Sequence, residues 1–191
     1  MSLTLAPALT LRFFPRARAW TRDLGLILAG TLFVALLAQV RIPLPFTPVP
    51  LTGQTFGVLL VGAALGARRA VASLGLYLAL GLAGLPVFAG GAAGAAYALG
   101  PTGGYLLGFI AAAWIVGRLA ERGLDRRVRT AWLAFLAGTL VIYLCGAGWL
   151  ALSLGVEAAL RLGVLPFLIG DAAKILLAAL ALPAAWRLTR P

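Results

Sequence analysis

Apolar residues run almost unbroken through six stretches of the chain, at 24–40, 52–67, 70–85, 103–119, 130–154 and 166–186, and most charges fall between them. Runs that are apolar on every side carry no amphipathic period, so length and flanks decide, and both predict membrane-spanning helices. Several runs hold about 16 residues, roughly 24 Å of helix against a hydrocarbon core of ~30 Å, which predicts irregular outer segments packed into the bundle. Small residues recur at four-residue spacing: Gly25 with Ala29, Gly62 with Gly66, Gly75 with Ala79 and Ala83, Gly104 with Gly108 and Ala112, and Ala134 with Gly138. Such pairs let helix backbones approach where lipid supplies no hydrophobic drive. The expected architecture is an all-α integral membrane protein. Residues 1–22 form an interfacial cytoplasmic tail and residues 23–191 a single six-helix membrane domain.

Composition agrees with the pattern. Of 191 residues, 62% are hydrophobic and 11% charged, with a mean hydropathy of +1.03, too apolar for a soluble domain. The net charge of +11 comes in short Arg clusters, with no basic stripe and interleaved aromatics, so it does not indicate nucleic acid. It indicates orientation. With the N-terminus inside, Arg12, Arg16, Arg18, Arg22, Arg68, Arg69, Arg118, Arg122, Arg126, Arg127, Arg129, Arg187 and Arg190 all lie inside, and only Arg41 and Arg161 outside. Basic residues favour the cytoplasmic side, so both termini are expected there. The apolar residues of the tail precede its Arg cluster, the reverse of a secretory signal peptide.

Missing residue types narrow the function. There is no His, and the single Cys, Cys145, lies inside an apolar run, so zinc sites, disulfide frameworks and His-based catalysis have no groups to use. No phosphate loop of the Gly-x-x-x-x-Gly-Lys-Ser/Thr type is present, so the chain does not itself hydrolyse ATP. No enzyme activity, metal or cofactor is indicated.

Two charges in the last run stand out. Asp171 and Lys174, the sole Lys among sixteen basic residues, lie three residues apart, on one face of a helix. Either alone costs roughly 2.5 to 3.5 kcal/mol at mid-membrane, so the pair is a candidate ligand site. The alternative is a structural pair whose Lys snorkels to the interface. Two nearly uncharged connections lie on the same side as the start of this helix. Residues 41–54 carry Pro43, Pro45, Pro48 and Pro50 and cannot be helical. Residues 86–104 carry six glycines, among them Gly90, Gly91 and Gly94. They form either a floppy loop or, since irregular apolar backbone at membrane depth must be buried or line a cavity, a lid over one. The second, fourth and sixth helices start on this side, at Gln54, Gly103 and Pro166, and their unpaired N–H groups suit a carboxylate or a carbonyl. Thr52, Gln54, Tyr97 and Thr102 lie at these ends, and Gln54, which can both donate and accept, is expected at the rim of the site. Tyr143 and Trp149 of the fifth helix either stack on a flat ligand or anchor the interface.

These residues also resemble a known family. Residues 43–55, 84–91, 100–108 and 170–174, in this order on a six-span chain, are similar to the BioY family, the biotin-binding S components of energy-coupling factor (ECF) transporters. The resemblance implies a subunit of the bacterial cytoplasmic membrane that takes up biotin and works with a membrane coupling subunit and two ABC-type ATPases. It implies a ligand site of Asp171, Lys174, Gln54, Thr52, Gly90, Gly91, Gly94, Tyr97, Thr102 and Tyr143, with biotin as ligand and no cofactor. For docking to the coupling subunit the family uses small residues on the first helix, and the matching positions here are Gly25 with Ala29 and Thr31 with Ala35. Other readings are an S component or solitary carrier for another vitamin, and an intramembrane enzyme or structural partner.

Overall fold

The computed structural model describes residues 3–189. Arg190, counted above among the inward basic residues, lies outside them, as do the ends of the expected tail and membrane domain. Most of the described residues are helical. A short helix, α1 (Leu5–Phe13), leads to α2 (Ala19–Gln39), which stops where Val40 turns extended ahead of the four prolines. These residues have no room for a helix, and the chain instead makes a two-stranded ribbon, β1 (Arg41–Ile42) antiparallel to β2 (Leu51–Thr52), with Arg41 opposite Thr52. Then come α3 (Gln54–Leu65) and α4 (Ala67–Leu82). The break between them is Gly66, at φ +80°, a conformation that β-carbon-bearing residues avoid. The chain continues through α5 (Gly94–Ala98), α6 (Gly103–Glu121), α7 (Val128–Leu154), α8 (Val156–Gly163) and α9 (Leu168–Ala185).

Four helical segments are long and apolar enough to cross a membrane: α2, α6, α7 and the run Val156–Thr189 that contains α8 and α9. At 12 and 16 residues α3 and α4 are shorter. The sequence reading started these two at residues 52 and 70, whereas Thr52 belongs to β2 and α4 begins at Ala67, directly after the Gly66 break. The described part of the 1–22 segment packs against the bundle at α1. Leu5 and Pro7 of α1 are buried, and Arg12 donates from Nη1 to the Leu188 carbonyl at 2.7 Å, so the two described ends of the chain meet.

Helix α6 is the central post, buried at Gly104, Tyr105, Gly108, Phe109, Ala112, Ala113 and Val116, among others. Its small residues meet neighbours directly. A β-carbon on Gly104 would strike Trp149 and the Cys145 carbonyl of α7, and one on Gly62 would lie 3.1 Å from the Ala113 carbonyl of α6. A β-carbon on Gly25 or Gly75 would meet no neighbouring segment within 4 Å, so these two, though similarly spaced, face open space. Gly104→Leu is therefore expected to lower stability by about 1–3 kcal/mol or more through overpacking, while Gly75→Leu leaves it near wild type. Thermal unfolding of the two variants in detergent checks this.

At the end where the termini meet, Asp125, between α6 and α7, is buried at 1% exposure. It accepts from Trp186 Nε1 at 2.6 Å, and Arg126 lies over the Trp186 ring at 4.7 Å. Burial raises the Asp125 pKa above the ordinary carboxylate value, the bond from Trp186 and the charge of Arg126 acting in the opposite sense. A buried acid with a raised pKa takes up its proton in the folded state before the unfolded chain does as pH falls. Stability therefore gains from Asp125 as pH is lowered from neutrality towards about 3.9. Asp125→Asn is expected to flatten that dependence in a pH series of thermal unfolding.

Candidate ligand site

The starts of α3, α6 and α9 converge with β2, α5 and the middle of α7 around one cavity. Its lining includes Leu51, Thr52, Gln54, Thr55, Tyr97, Thr102, Tyr105, Phe109, Ile142, Tyr143, Phe167, Asp171 and Lys174, and it holds about 500 Å³ of space not filled by atoms, part of it open to solvent. Most of the wall is apolar and aromatic. The polar groups gather where α9 meets α3 and α7.

Asp171 is the hub of that polar cluster and is 4% exposed. Its Oδ1 accepts from Lys174 Nζ at 2.7 Å and from the Thr55 hydroxyl at 3.1 Å, and its Oδ2 accepts from the Tyr143 hydroxyl at 2.7 Å. Lys174 donates a second bond to Thr55 Oγ1 at 2.9 Å. Three helices are thus tied through one carboxylate. A carboxylate offers about four lone-pair sites and an ammonium three hydrogens. One acceptor site on Oδ2 and one hydrogen on Nζ have no partner among the described atoms. An adjacent acceptor and donor in a mostly apolar cavity suit a small molecule that carries a donor beside an acceptor.

The lid is ordered by its own packing. Phe88 is fully buried, stacked on Tyr97 at 5.4 Å between ring centres and edge-on to Tyr77 at 5.6 Å. Trp149 Nε1 donates to the Gly100 carbonyl at 3.1 Å. On the opposite side the Thr47 hydroxyl donates to the Leu162 carbonyl at 2.6 Å, and Tyr105 donates to the Gly163 carbonyl at 2.6 Å. The proline-rich segment is thereby fastened to α8, and α8 to α6.

Of the residues expected at a ligand, the structure brings together Thr52, Gln54, Tyr97, Thr102, Tyr143, Asp171 and Lys174. Gln54 is not at the rim. It is buried, with Nε2 donating to the Tyr77 hydroxyl at 2.7 Å and Oε1 accepting from Thr52 at 3.0 Å, so it braces the wall. Gly90, Gly91 and Gly94 line no part of this cavity; their positive φ angles of 67°, 80° and 85° shape the turns of the lid. Trp149 likewise holds the lid from behind and does not line the cavity. On α2, Gly25 and Ala29 are exposed and Ala35 is half-buried, but Thr31 is buried, donating to the Ser73 carbonyl of α4 at 2.9 Å. Thr31 therefore packs inside the bundle and offers no surface to a partner. Thr55 and Tyr105 were missed. Thr55 lies one residue past Gln54, on the first turn of a helix that contacts α9, and that position was the available signal. Nothing in the sequence marked Tyr105.

Fold and cavity together define an all-helical membrane protein with a lidded polar site at one end of its bundle. The chain belongs to the BioY family, whose profile matches residues 8–191. It is 44% identical over 144 residues to a protein of Pyrococcus horikoshii described as a "probable biotin transporter BioY", covering 75% of this chain and 85% of that one. It is 39% identical over 170 residues to the biotin transporter BioY of Rhizobium etli, covering 84% and 90%. The fold is similar to the crystal structure, at 2.1 Å, of the S-component for biotin from an ECF-type ABC transporter, with a TM-score of 0.80 and 29% identity over 88% of this chain and 92% of that one.

Proposed function

We propose that this chain is a biotin-binding membrane subunit for biotin uptake, a transport protein and not an enzyme. Its site is the cavity around Asp171 and Lys174. The observation that carries the reading is the open acceptor on Asp171 beside the open donor on Lys174. Biotin has a cyclic urea with two N–H donors and a carbonyl, an apolar thioether ring and a carboxylate tail. A urea N–H meets Asp171 Oδ2, and Lys174 donates to an oxygen of the ligand. The apolar wall of Leu51, Phe109, Ile142 and Phe167 takes the ring. A ligand bearing only a carboxylate would meet Asp171 unfavourably.

In this reading α2, α3, α4, α6, α7 and α9 span the bacterial cytoplasmic membrane, with both termini in the cytoplasm. The arginines at the end where α1 and the C-terminal residues meet support that orientation. The cavity then opens outward beneath its lid. A membrane coupling subunit and two ABC-type ATPases energise transport, and the exposed α2 face at Gly25 and Ala29 suits the coupling subunit.

Mass spectrometry of the detergent-purified chain, followed by calorimetric titration, tests the assignment. Biotin is expected to co-purify and to rebind at one molecule per chain. Another vitamin in its place, with no heat on adding biotin, would contradict it.

A further inference from the structure

Thr55 stands on the first turn of α3, where that helix meets α9, and lines the cavity. Its hydroxyl donates to Asp171 Oδ1 at 3.1 Å and accepts from Lys174 Nζ at 2.9 Å. With the bond from Lys174 to Asp171 at 2.7 Å, the three groups close a ring. The direction of each bond in that ring is fixed. An ammonium only donates and a carboxylate only accepts, so the single hydroxyl hydrogen goes to Asp171. Thr55 therefore has no hydrogen left to give a ligand.

Asp171 alone holds Lys174 poorly. The ammonium ends a flexible four-carbon stem, and Asp171 lies three residues earlier on the same helix, so their one bond leaves Nζ free to turn about it. Thr55 adds a second fixed point from a different helix. Two bonds engage two of the three hydrogens of a tetrahedral ammonium, and the third then has one direction. The turn that carries Thr55 is itself held, because Gln54 donates to the Tyr77 hydroxyl of α4 at 2.7 Å and accepts from Thr52 at 3.0 Å. The brace that buries Gln54 thus fixes the base from which Thr55 reaches Lys174.

The geometry points to Thr55 as a positioning residue for the ligand: it holds the Lys174 ammonium so that its third hydrogen is presented in one fixed direction before the ligand arrives. This role rests on the biotin reading of the cavity. Such preorganisation raises affinity by sparing the ligand the cost of ordering a mobile side chain.

A double-mutant cycle, read by calorimetric titration of the purified full chain with biotin, tests it. Thr55→Val keeps the shape and removes the hydroxyl, and is expected to weaken biotin about tenfold, whereas Thr55→Ser, which keeps the hydroxyl, stays within about twofold of wild type. On the Lys174→Ala background the same Thr55→Val should cost less than about twofold more, because the group it positions is gone. Thr55→Ala should lose as much as Thr55→Val, and takes its place in the cycle should the valine variant misfold. Equal losses in the two backgrounds would overturn the assignment and make Thr55 a ligand contact in its own right. Wild-type affinity in Thr55→Val with a lowered melting temperature would overturn it too, and make Thr55 purely structural. Both failures are read against a wild type that binds biotin, and leave the biotin reading standing. A wild type that gives no heat with biotin overturns that reading, and the role of Thr55 with it.

Discussion

Replacing Asp171 by Ala is expected to abolish biotin binding and to destabilise the fold. The carboxylate holds Lys174, Thr55 and Tyr143 together across α9, α3 and α7, and its side chain is 6% exposed against 18% for Lys174. Removing one partner of a buried ion pair leaves the other uncompensated, at a cost of about 3–5 kcal/mol. Thermal unfolding in detergent reads that loss directly. Asp171→Asn separates the two roles, since it keeps the size of the side chain and one acceptor oxygen but not the charge. It should fold, and biotin affinity should fall about ten- to a hundredfold, because a charge-assisted bond to the urea is lost. Wild-type affinity in Asp171→Asn would remove the carboxylate from the site.

Lys174→Ala is expected to weaken biotin by roughly 1.5 to 3 kcal/mol, about ten- to a hundredfold, in calorimetric titration of purified protein. Its third hydrogen is the one donor the network leaves for a ligand oxygen. Two oxygens compete for it, the urea carbonyl and the carboxylate. The neutral carboxamide of biotin decides between them: if the carboxylate is the partner, the carboxamide binds wild type weakly and the substitution costs it little, and if the urea carbonyl is, the substitution weakens both ligands alike. Unchanged biotin affinity in Lys174→Ala would make the pair structural.

The membrane class was legible in the apolar runs, and the Asp171–Lys174 turn stood out because charges in an apolar run are costly and therefore conspicuous. The cavity around them was partly legible, through loops that cannot be helical and helices that start at the same end. What stayed hidden depends on side chains meeting across the bundle. Gln54 reads as a rim residue, yet Tyr77 draws it into the wall. Tyr105 sits in a run of Gly, Leu and Phe that reads as plain core. Gly25 and Gly75 share the spacing of Gly62 and Gly104 but face open space, since spacing records what can pack and not which face does. Helix α8 was also missed; its eight residues are too few to span a membrane, and it ties the proline-rich segment to the bundle, through Thr47 on one side and Tyr105 of α6 on the other.

The most direct test is an experimental structure of the purified subunit with biotin bound. A polar atom of biotin is expected within about 3.2 Å of Asp171 Oδ2 and another within the same reach of Lys174 Nζ, with the thioether ring against Phe109, Ile142 and Phe167. Biotin seated elsewhere, with the hydrogen bonds around Asp171 unaltered and no ligand atom near Lys174, would contradict the assignment of this cavity.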